Sequence, residues 1–314
     1  MSIVVTGATG FIGRHLTKYL IERGETVKAL TRRPPPAGSL TPGIQWVIGD
    51  VNDKCAWERL LEPDCVVINL AYSVFSVEPD AVQSVERMVE YCASYRISRL
   101  VHCSTVSVYG QVSDELVTES TECNPKSTYG KIKLEIEKAL VAKISGRFDC
   151  TILRPSSVLG QGGLTLDKEI RALLSGSSFL NYLRESIFGF RQVHIVPVET
   201  VVAALFYISR VPLKQSIELF IISEDETPVN NYRNVMQLLK RELHITDFPI
   251  RPLAIPRWLL EFLLSVLRRP NTNTRTIYSS KKLKSLGFSS PISLDEALRH
   301  YAINSRPDRK IEVL

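Results

Sequence analysis

Tyr129 and Lys133 stand four residues apart in a stretch whose pattern predicts a helix from about Ser127 to Lys143, so both side chains leave the same helix face. A phenol with a pKa of about 10 exchanges a proton with a carbonyl oxygen near neutral pH only when something favours the phenolate. A neighbouring ammonium does so. A hydroxyl such as that of Thr105 can hold the same oxygen. A second set of residues suits a different task. Gly7, Gly10 and Gly13 follow the apolar run Ile3-Val4-Val5 and open a helical pattern with apolar residues at Phe11, Ile12, Leu16, Tyr19 and Leu20. Gly7 supplies a tight turn, Gly10 lets backbone N–H groups approach a pyrophosphate, and Gly13 lets the helix lie close on the sheet. The spacing, G-x-x-G-x-x-G, differs from the commoner G-x-G-x-x-G, so the motif needs support elsewhere.

The elements that must position these residues follow in order. Strands are expected at Thr26–Thr31, Trp46–Ile48, Cys65–Leu70 and Leu100–Ser104, with helices at about 53 to 61 and 80 to 95 between and after them. Nearly continuous apolar strands alternating with helices indicate a parallel sheet covered on both faces, with ligands at the C-terminal strand ends. The glycine turn, Arg32, Asp50, Ala71 and Ser104-Thr105 all fall there. At the end of the second strand a dinucleotide fold that prefers NAD carries a carboxylate for the adenosine ribose, whereas arginine accommodates a 2′-phosphate. This sequence has Arg32 and Arg33, which favours NADP over NAD.

Taken together, Thr6-Gly7-x-x-Gly10-x-x-Gly13, Asp50-Val51, Ser104-Thr105-x-x-Val108-Tyr109-Gly110, Tyr129-x-x-x-Lys133, Leu153-Arg154-Pro155 and Lys284-Ser285-Leu286-Gly287-Phe288 resemble the extended short-chain dehydrogenase/reductases. That group, the NAD-dependent epimerase/dehydratase family, holds nucleotide-sugar epimerases, dehydratases and ketoreductases. The resemblance implies a Rossmann-like doubly wound α/β fold with a smaller C-terminal substrate lobe. It makes Tyr129 the acid/base, Thr105 the carbonyl-orienting hydroxyl, and Lys133 the residue that binds the nicotinamide ribose and tunes Tyr129. The cofactor, NADP with NAD as the alternative, would rest on Thr6, Gly7, Thr9, Gly10, Phe11, Ile12, Gly13, Arg32, Arg33, Asp50, Val51, Leu70, Ala71, Tyr129, Lys133 and Pro155. Ser107, Ser156, Ser157 and Arg191 would face the substrate.

Sugar 4,6-dehydratases of this group place Asp-Glu after the threonine, and Val106-Ser107 stand there in this chain, which argues against dehydration. The arginine pair tilts the choice toward a net ketoreductase acting on a nucleotide sugar. A nucleotide-sugar 4-epimerase, a reductase of a sterol, flavonoid or acyl carbonyl, and a non-catalytic NADP-sensing protein are the alternatives. Departures from the group occur at Ala81–Val85, at Ser156-Ser157 and at His194–Pro197, and His194 reads as a structural histidine.

The 314 residues carry ordinary proportions of hydrophobic (44%) and charged (23%) side chains, which excludes disordered and fibrous classes. The net charge of +6 is not gathered in one block, so nucleic acid is not an expected partner. Six scattered cysteines without C-x-x-C pairs read as reduced thiols and not as metal ligands, and no secretory signal is visible, which together suggest a cytoplasmic enzyme. The domain expectation is a cofactor-binding unit over 1–160 and a substrate lobe over 161–314, with the chain crossing between them and a short strand near Leu219–Ile222 in the lobe. A homodimer packed through the 80–95 and Tyr129 helices is implied by the resemblance. Residues 258–267 are apolar on most sides and too short to span a bilayer, which takes about 20 residues. They predict a buried or partner-facing helix, or alternatively an interfacial membrane helix with Arg257, Arg268 and Arg269 at its ends.

Overall fold

The computed structural model describes residues 2–35, 42–71, 78–112, 114–144, 146–253, 255–266 and 274–306. The first strand, β1 (Ser2–Thr6), is buried along its whole length and runs through the glycine turn into α1 (Phe11–Ile21). Then come β2 (Thr26–Thr31), β3 (Ile44–Ile48), α2 (Lys54–Leu60), β4 (Val66–Asn69), α3 (Glu78–Ser94) and β5 (Arg99–Cys103). Helix α2 starts where the Asp53 carboxylate accepts from the Cys55 N–H at 2.9 Å, satisfying one of the first-turn donors. A single 3₁₀ turn, Val106–Val108, and a short β6 (Leu116–Val117) precede α4 (Thr128–Ile144) and β7 (Asp149–Pro155).

The second half contributes β8 (Ser157–Leu159), α5 (Asp167–Ser175), α6 (Ser178–Phe188), β9 (Ile195–Pro197), α7 (Val198–Ile208) and β10 (Ile217–Ile222). It closes with α8 (Tyr232–Glu242), α9 (Arg257–Val266), β11 (Ile277–Tyr278), α10 (Lys281–Ser285) and α11 (Leu294–Asn304). Seven strands form one parallel sheet in the order β10-β7-β5-β4-β1-β2-β3. The strand order reverses between β1 and β4, and this crevice is where such sheets bind ligands.

Alternation along the strands divides the core into two layers. Ile3, Val5, Val66 and Ile68 pack with Leu16, Leu20, Val201 and Leu205 beneath α1 and α7. Val4 and Val67 face the other way, against Trp57, Met88, Val89, Ile132, Ile136 and Leu140 from α2, α3 and α4. Helices on both faces of a parallel sheet make the doubly wound α/β architecture that the alternating apolar runs predict.

Two sequence expectations need correcting. The strand near 219–222 is not part of the smaller lobe: β10 pairs with β7 from Ile217↔Cys150 to Ile222↔Pro155 and extends the main sheet. Residues of α7 likewise complete the main core, so sheet and lobe share the second half of the chain. The lobe has its own centre, where Leu166, Ile170, Val235, Leu239, Leu294 and Leu298 of the α5, α8 and α11 region pack around Ile195 of β9. Nor is α9 a buried helix. Among its described side chains, Leu260 turns inward and Trp258, Phe262 and Val266 stand exposed. Arg268 and Arg269 lie outside the described residues. Among the described residues, no helix is long and apolar enough to cross a membrane.

Candidate active site

The glycine turn sits at the head of a cleft with two parts. One is a cavity of about 530 Å³ lined by Gly7, Thr9, Gly10, Arg32, Asp50, Val51, Leu70 and Ala71, and walled by Asp80, Ala81, Gln83 and Ser84 of α3. The other, about 350 Å³, is lined by Phe11, Ile12, Gly13, Ser104, Thr105, Tyr129, Lys133, Pro155 and Ser156. Gly7, Gly10 and Leu70 border both, so the cavities join over the turn. That shape fits a dinucleotide lying across the strand ends with its pyrophosphate at the glycines.

Sterics explain why glycine occupies this turn. Gly7 has φ +69°, and a Cβ there would lie 2.8 Å from the Leu70 carbonyl carbon; a Cβ at Gly13 would lie 2.1 Å from the Gly7 oxygen. Helix α1 therefore starts almost in contact with the turn, with no acidic residue in its first turn and no side-chain cap. Its positive end is left to an anion.

Beneath the junction is a buried polar cluster. The Thr6 hydroxyl donates to Asn69 Oδ1 at 2.6 Å, and the Ala71 N–H donates to the same two groups, at 3.3 Å to Thr6 Oγ1 and 3.2 Å to Asn69 Oδ1. The Asn69 amide donates to His102 Nδ1 at 3.1 Å. Burial holds the His102 pKa well below the usual imidazole range, and nearby Lys133 adds to the effect. Thr6 thus supports the cleft from below and does not line it. The roles of Asn69 and His102 are not legible in the sequence, where each is a single polar residue in an otherwise apolar run, Asn69 at the end of β4 and His102 inside β5.

Helix α4 presents Tyr129 and Lys133 to the second cavity. Tyr129 is 41% exposed, whereas Lys133 is buried and its ammonium donates to the Cys103 carbonyl at 2.9 Å. Burial lowers the Lys133 pKa, with Cys103 and Glu137 opposing the shift. One turn further on, the Glu137 carboxylate grips Arg154 of β7 in a buried two-pronged pair at 2.5 and 3.1 Å. Burial alone would lower the Arg154 pKa, but Glu137 outweighs it and the guanidinium is held above its ordinary value. The pair fixes α4 to the sheet one turn below Lys133.

The Thr105 hydroxyl caps the 3₁₀ turn, accepting from the Ser107 N–H at 3.1 Å and donating to the Ser107 hydroxyl at 3.2 Å. Ser107 therefore acts on Thr105 and is not among the residues lining the cavity. Ser104 and Ser156 do line it, and their buried hydroxyls have no hydrogen-bond partner among the described residues. Ser104 was missing from the sequence-derived site set. Nearby Cys103 offers no nucleophile at neutral pH, since burial pushes its thiol up to about 11.

Other residues singled out from sequence fall away from the cleft. Arg33 is exposed and does not line it; its carbonyl accepts from the Thr31 hydroxyl at 2.6 Å, so Arg32 alone of the pair borders the cavity. Ser157 is exposed on β8, its N–H bonded to the His194 carbonyl at 2.8 Å. Arg191 borders a separate small hollow with Phe190, Ile255 and Leu260. His194 holds Asp225 at 2.6 Å, and that carboxylate also takes the Tyr278 N–H and the Asn230 amide, a structural network away from both cavities.

Residues 3–178, more than half of the chain, match the NAD dependent epimerase/dehydratase family. The chain is 31% identical over 172 residues to the dTDP-6-deoxy-L-talose 4-dehydrogenase (NAD(P)(+)) of Kitasatospora kifunensis, a match covering 51% of this chain and 53% of that protein. It is 24% identical over 322 residues to a UDP-glucose 4-epimerase of Vibrio cholerae, covering 96% and 94%. The chain spans about half the length of the first curated relatives it matches. Among solved structures, MoeE5 in complex with UDP-glucose and NAD shares the fold at a TM-score of 0.67 and 24% identity, covering 96% of this chain and 97% of that one. A short-chain dehydrogenase/reductase superfamily protein from Agrobacterium tumefaciens with bound NAD superposes at 0.71 and 19% identity, covering 99% of each. The glycine turn, the parallel sheet and this match agree: the chain belongs to the NAD dependent epimerase/dehydratase family, enzymes that depend on a nicotinamide nucleotide.

Proposed function

We propose that the protein is an NADP-dependent ketoreductase acting at a ketone or hydroxyl of a nucleotide sugar. The observation that carries the reading is the convergence of Thr105, Tyr129 and Lys133 on one cavity that joins the glycine-turn cleft. Reduction of a ketone needs a hydride at carbon and a proton at oxygen. A bound reduced nicotinamide supplies the hydride. Tyr129 donates the proton to the developing alkoxide, and the Lys133 ammonium on the same helix face favours the phenolate that is left. Thr105, turning its proton from Ser107 to the carbonyl oxygen, holds that oxygen in place. Arg32 beside Asp50 and Val51 supports the 2′-phosphate of NADP at the ribose end. Val106 is buried among Val108, Tyr109 and Ile221, so the position offers no extra acid or base for eliminating water.

A 4-epimerase with the same residues is the second reading, favoured by the near full-length relationship to the Vibrio cholerae enzyme. The two differ in redox balance. Incubation with candidate nucleotide-sugar ketones and NADPH should consume one NADPH per product formed. Interconversion of two sugars without any change in nicotinamide absorbance would establish the epimerase instead.

A further inference from the structure

Ten of the fifteen large apolar side chains that stand exposed among the described residues fall in two stretches, 174–190 and 250–266. The stretches lie against each other. The rings of Tyr182 and Phe248 meet edge to face at 5.3 Å, the Tyr182 hydroxyl reaches the Arg251 carbonyl at 3.5 Å, and the Ile255 N–H donates to the Ser186 carbonyl at 3.2 Å. Helix α9 continues this side, with Leu260 buried beside Ile187 and Phe190. Its opposite stripe, Trp258, Phe262 and Val266, is 69%, 61% and 64% exposed. An apolar stripe turned outward inverts the usual arrangement of a surface helix.

Charge indicates what covers this side. Residues 245–270 contain Arg251, Arg257, Arg268 and Arg269 against Asp247 and Glu261. Both carboxylates are engaged within the protein: Asp247 accepts from Lys240, and Glu261 accepts from the Thr274 hydroxyl at 2.9 Å. By sequence the segment carries a surplus of two positive charges, with Arg251 exposed next to the outward Ile250 and Leu253 and the other arginines flanking or ending α9 along the chain. An anionic phospholipid surface matches that combination, because rings enter the boundary of the acyl region while guanidiniums meet phosphates. A second copy docking through the same patch would bring two segments of the same surplus positive charge together. With ten residues, α9 cannot span the bilayer and would lie along it.

We propose that the side of the lobe formed by α6, residues 248–255 and α9 seats on the surface of an anionic phospholipid bilayer. The proposal is independent of the reaction assigned to the cleft. Its test is flotation of the full chain with vesicles of phosphatidylcholine alone or mixed with phosphatidylglycerol. The protein should float with the mixed vesicles, be released by high salt, and float at least about tenfold less with phosphatidylcholine alone. Trp258→Ser combined with Phe262→Ser should lower flotation about tenfold or more while leaving the melting temperature in place. Ile250→Ser with Leu253→Ser should do the same from the neighbouring segment. Trp258→Phe should keep flotation but remove the vesicle-induced blue shift of tryptophan emission. Failure of the wild-type chain to float, equal flotation with both lipids, or unchanged flotation of both double variants overturns the proposal. Conversion of a dimer to a monomer by the double substitutions, without vesicle binding by the wild type, would assign the face to a protein partner instead.

Discussion

The ammonium of Lys133 donates to the carbonyl oxygen of Cys103 at 2.9 Å, tying α4 to the end of β5. Burial lowers the lysine pKa from its ordinary 10.5, so this group is held at a cost to its charged form. A residue kept solely for stability would not be built in this way. Lys133→Met should reduce turnover by about 100-fold or more, with no fall in melting temperature. The sign of the pH dependence follows from linkage. Between the lowered native pKa and 10.5 the unfolded state binds more of the Lys133 proton than the folded one, so the contribution of Lys133 to stability rises with pH through that window, against the falling contribution of buried thiols such as Cys103 and Cys150, whose pKa values are raised. Denaturant titrations across alkaline pH should therefore give a more positive slope of stability against pH for the wild type than for Lys133→Met. An equal slope in both proteins would remove the assignment.

Arg32 borders the adenosine end of the cleft and Arg33 does not, although both stand at the same strand end in the sequence. Arg32→Asp should weaken NADP by about 1.5–3 kcal/mol, roughly 10- to 150-fold, with a much smaller effect on NAD. Arg33→Ala should change either affinity by no more than about twofold. Titration of each nucleotide by calorimetry checks both; equal losses for NAD and NADP in Arg32→Asp would refute the cofactor preference.

Glu137 and Arg154 form a buried pair with side-chain exposures of 4% and 6%, and the guanidinium also lies over the Tyr109 ring at 4.7 Å. Removing one partner leaves the other charge buried and uncompensated. Glu137→Ala should therefore cost about 3–5 kcal/mol of stability. Glu137→Gln, which keeps a hydrogen-bonding oxygen, should cost less. Denaturant unfolding measures both, and a loss below that of an ordinary surface substitution would show that the pair does not hold α4 in place.

The local signals of this chain survive in the structure because they depend on neighbours in sequence. Tyr129 and Lys133 share a face through helical spacing alone, and β1, the glycine turn and α1 follow from an apolar run meeting Gly7, Gly10 and Gly13. What sequence could not supply was pairing over distance. The run Ile217–Ile222 looks the same whether it closes a small lobe or extends the main sheet, and its register with β7 decides. Asn69 and His102 are single polar residues on strands, and only the β4–β5 pairing brings them into contact below the cleft. Arg33 and Ser157 fail for a related reason, since an adjacent residue at a strand end points elsewhere. The apolar character of α9 was plain, but which edge met the protein depended on where the lobe placed Leu260.

Gly13 offers the sharpest test of how tightly the turn is built. A Cβ there would meet the Gly7 oxygen at 2.1 Å and the Ala8 Cα at 2.7 Å, both backbone atoms that move only with β1 and the turn. Gly13→Ala should push α1 away from the turn, costing about 1–3 kcal/mol in overpacking and removing most dinucleotide binding, because the helix N-terminus no longer faces the pyrophosphate. Gly24 is the control. It has φ +74° but nothing within 4 Å of its Cβ position, and it lies beyond the end of α1, away from the cleft. Gly24→Ala should cost about 1–2 kcal/mol through left-handed strain while leaving nucleotide affinity unchanged. Thermal melting and NADPH fluorescence on the two variants separate close packing from backbone conformation. If Gly13→Ala bound the nucleotide like the wild type, the cradle would not depend on the approach of α1 to the turn.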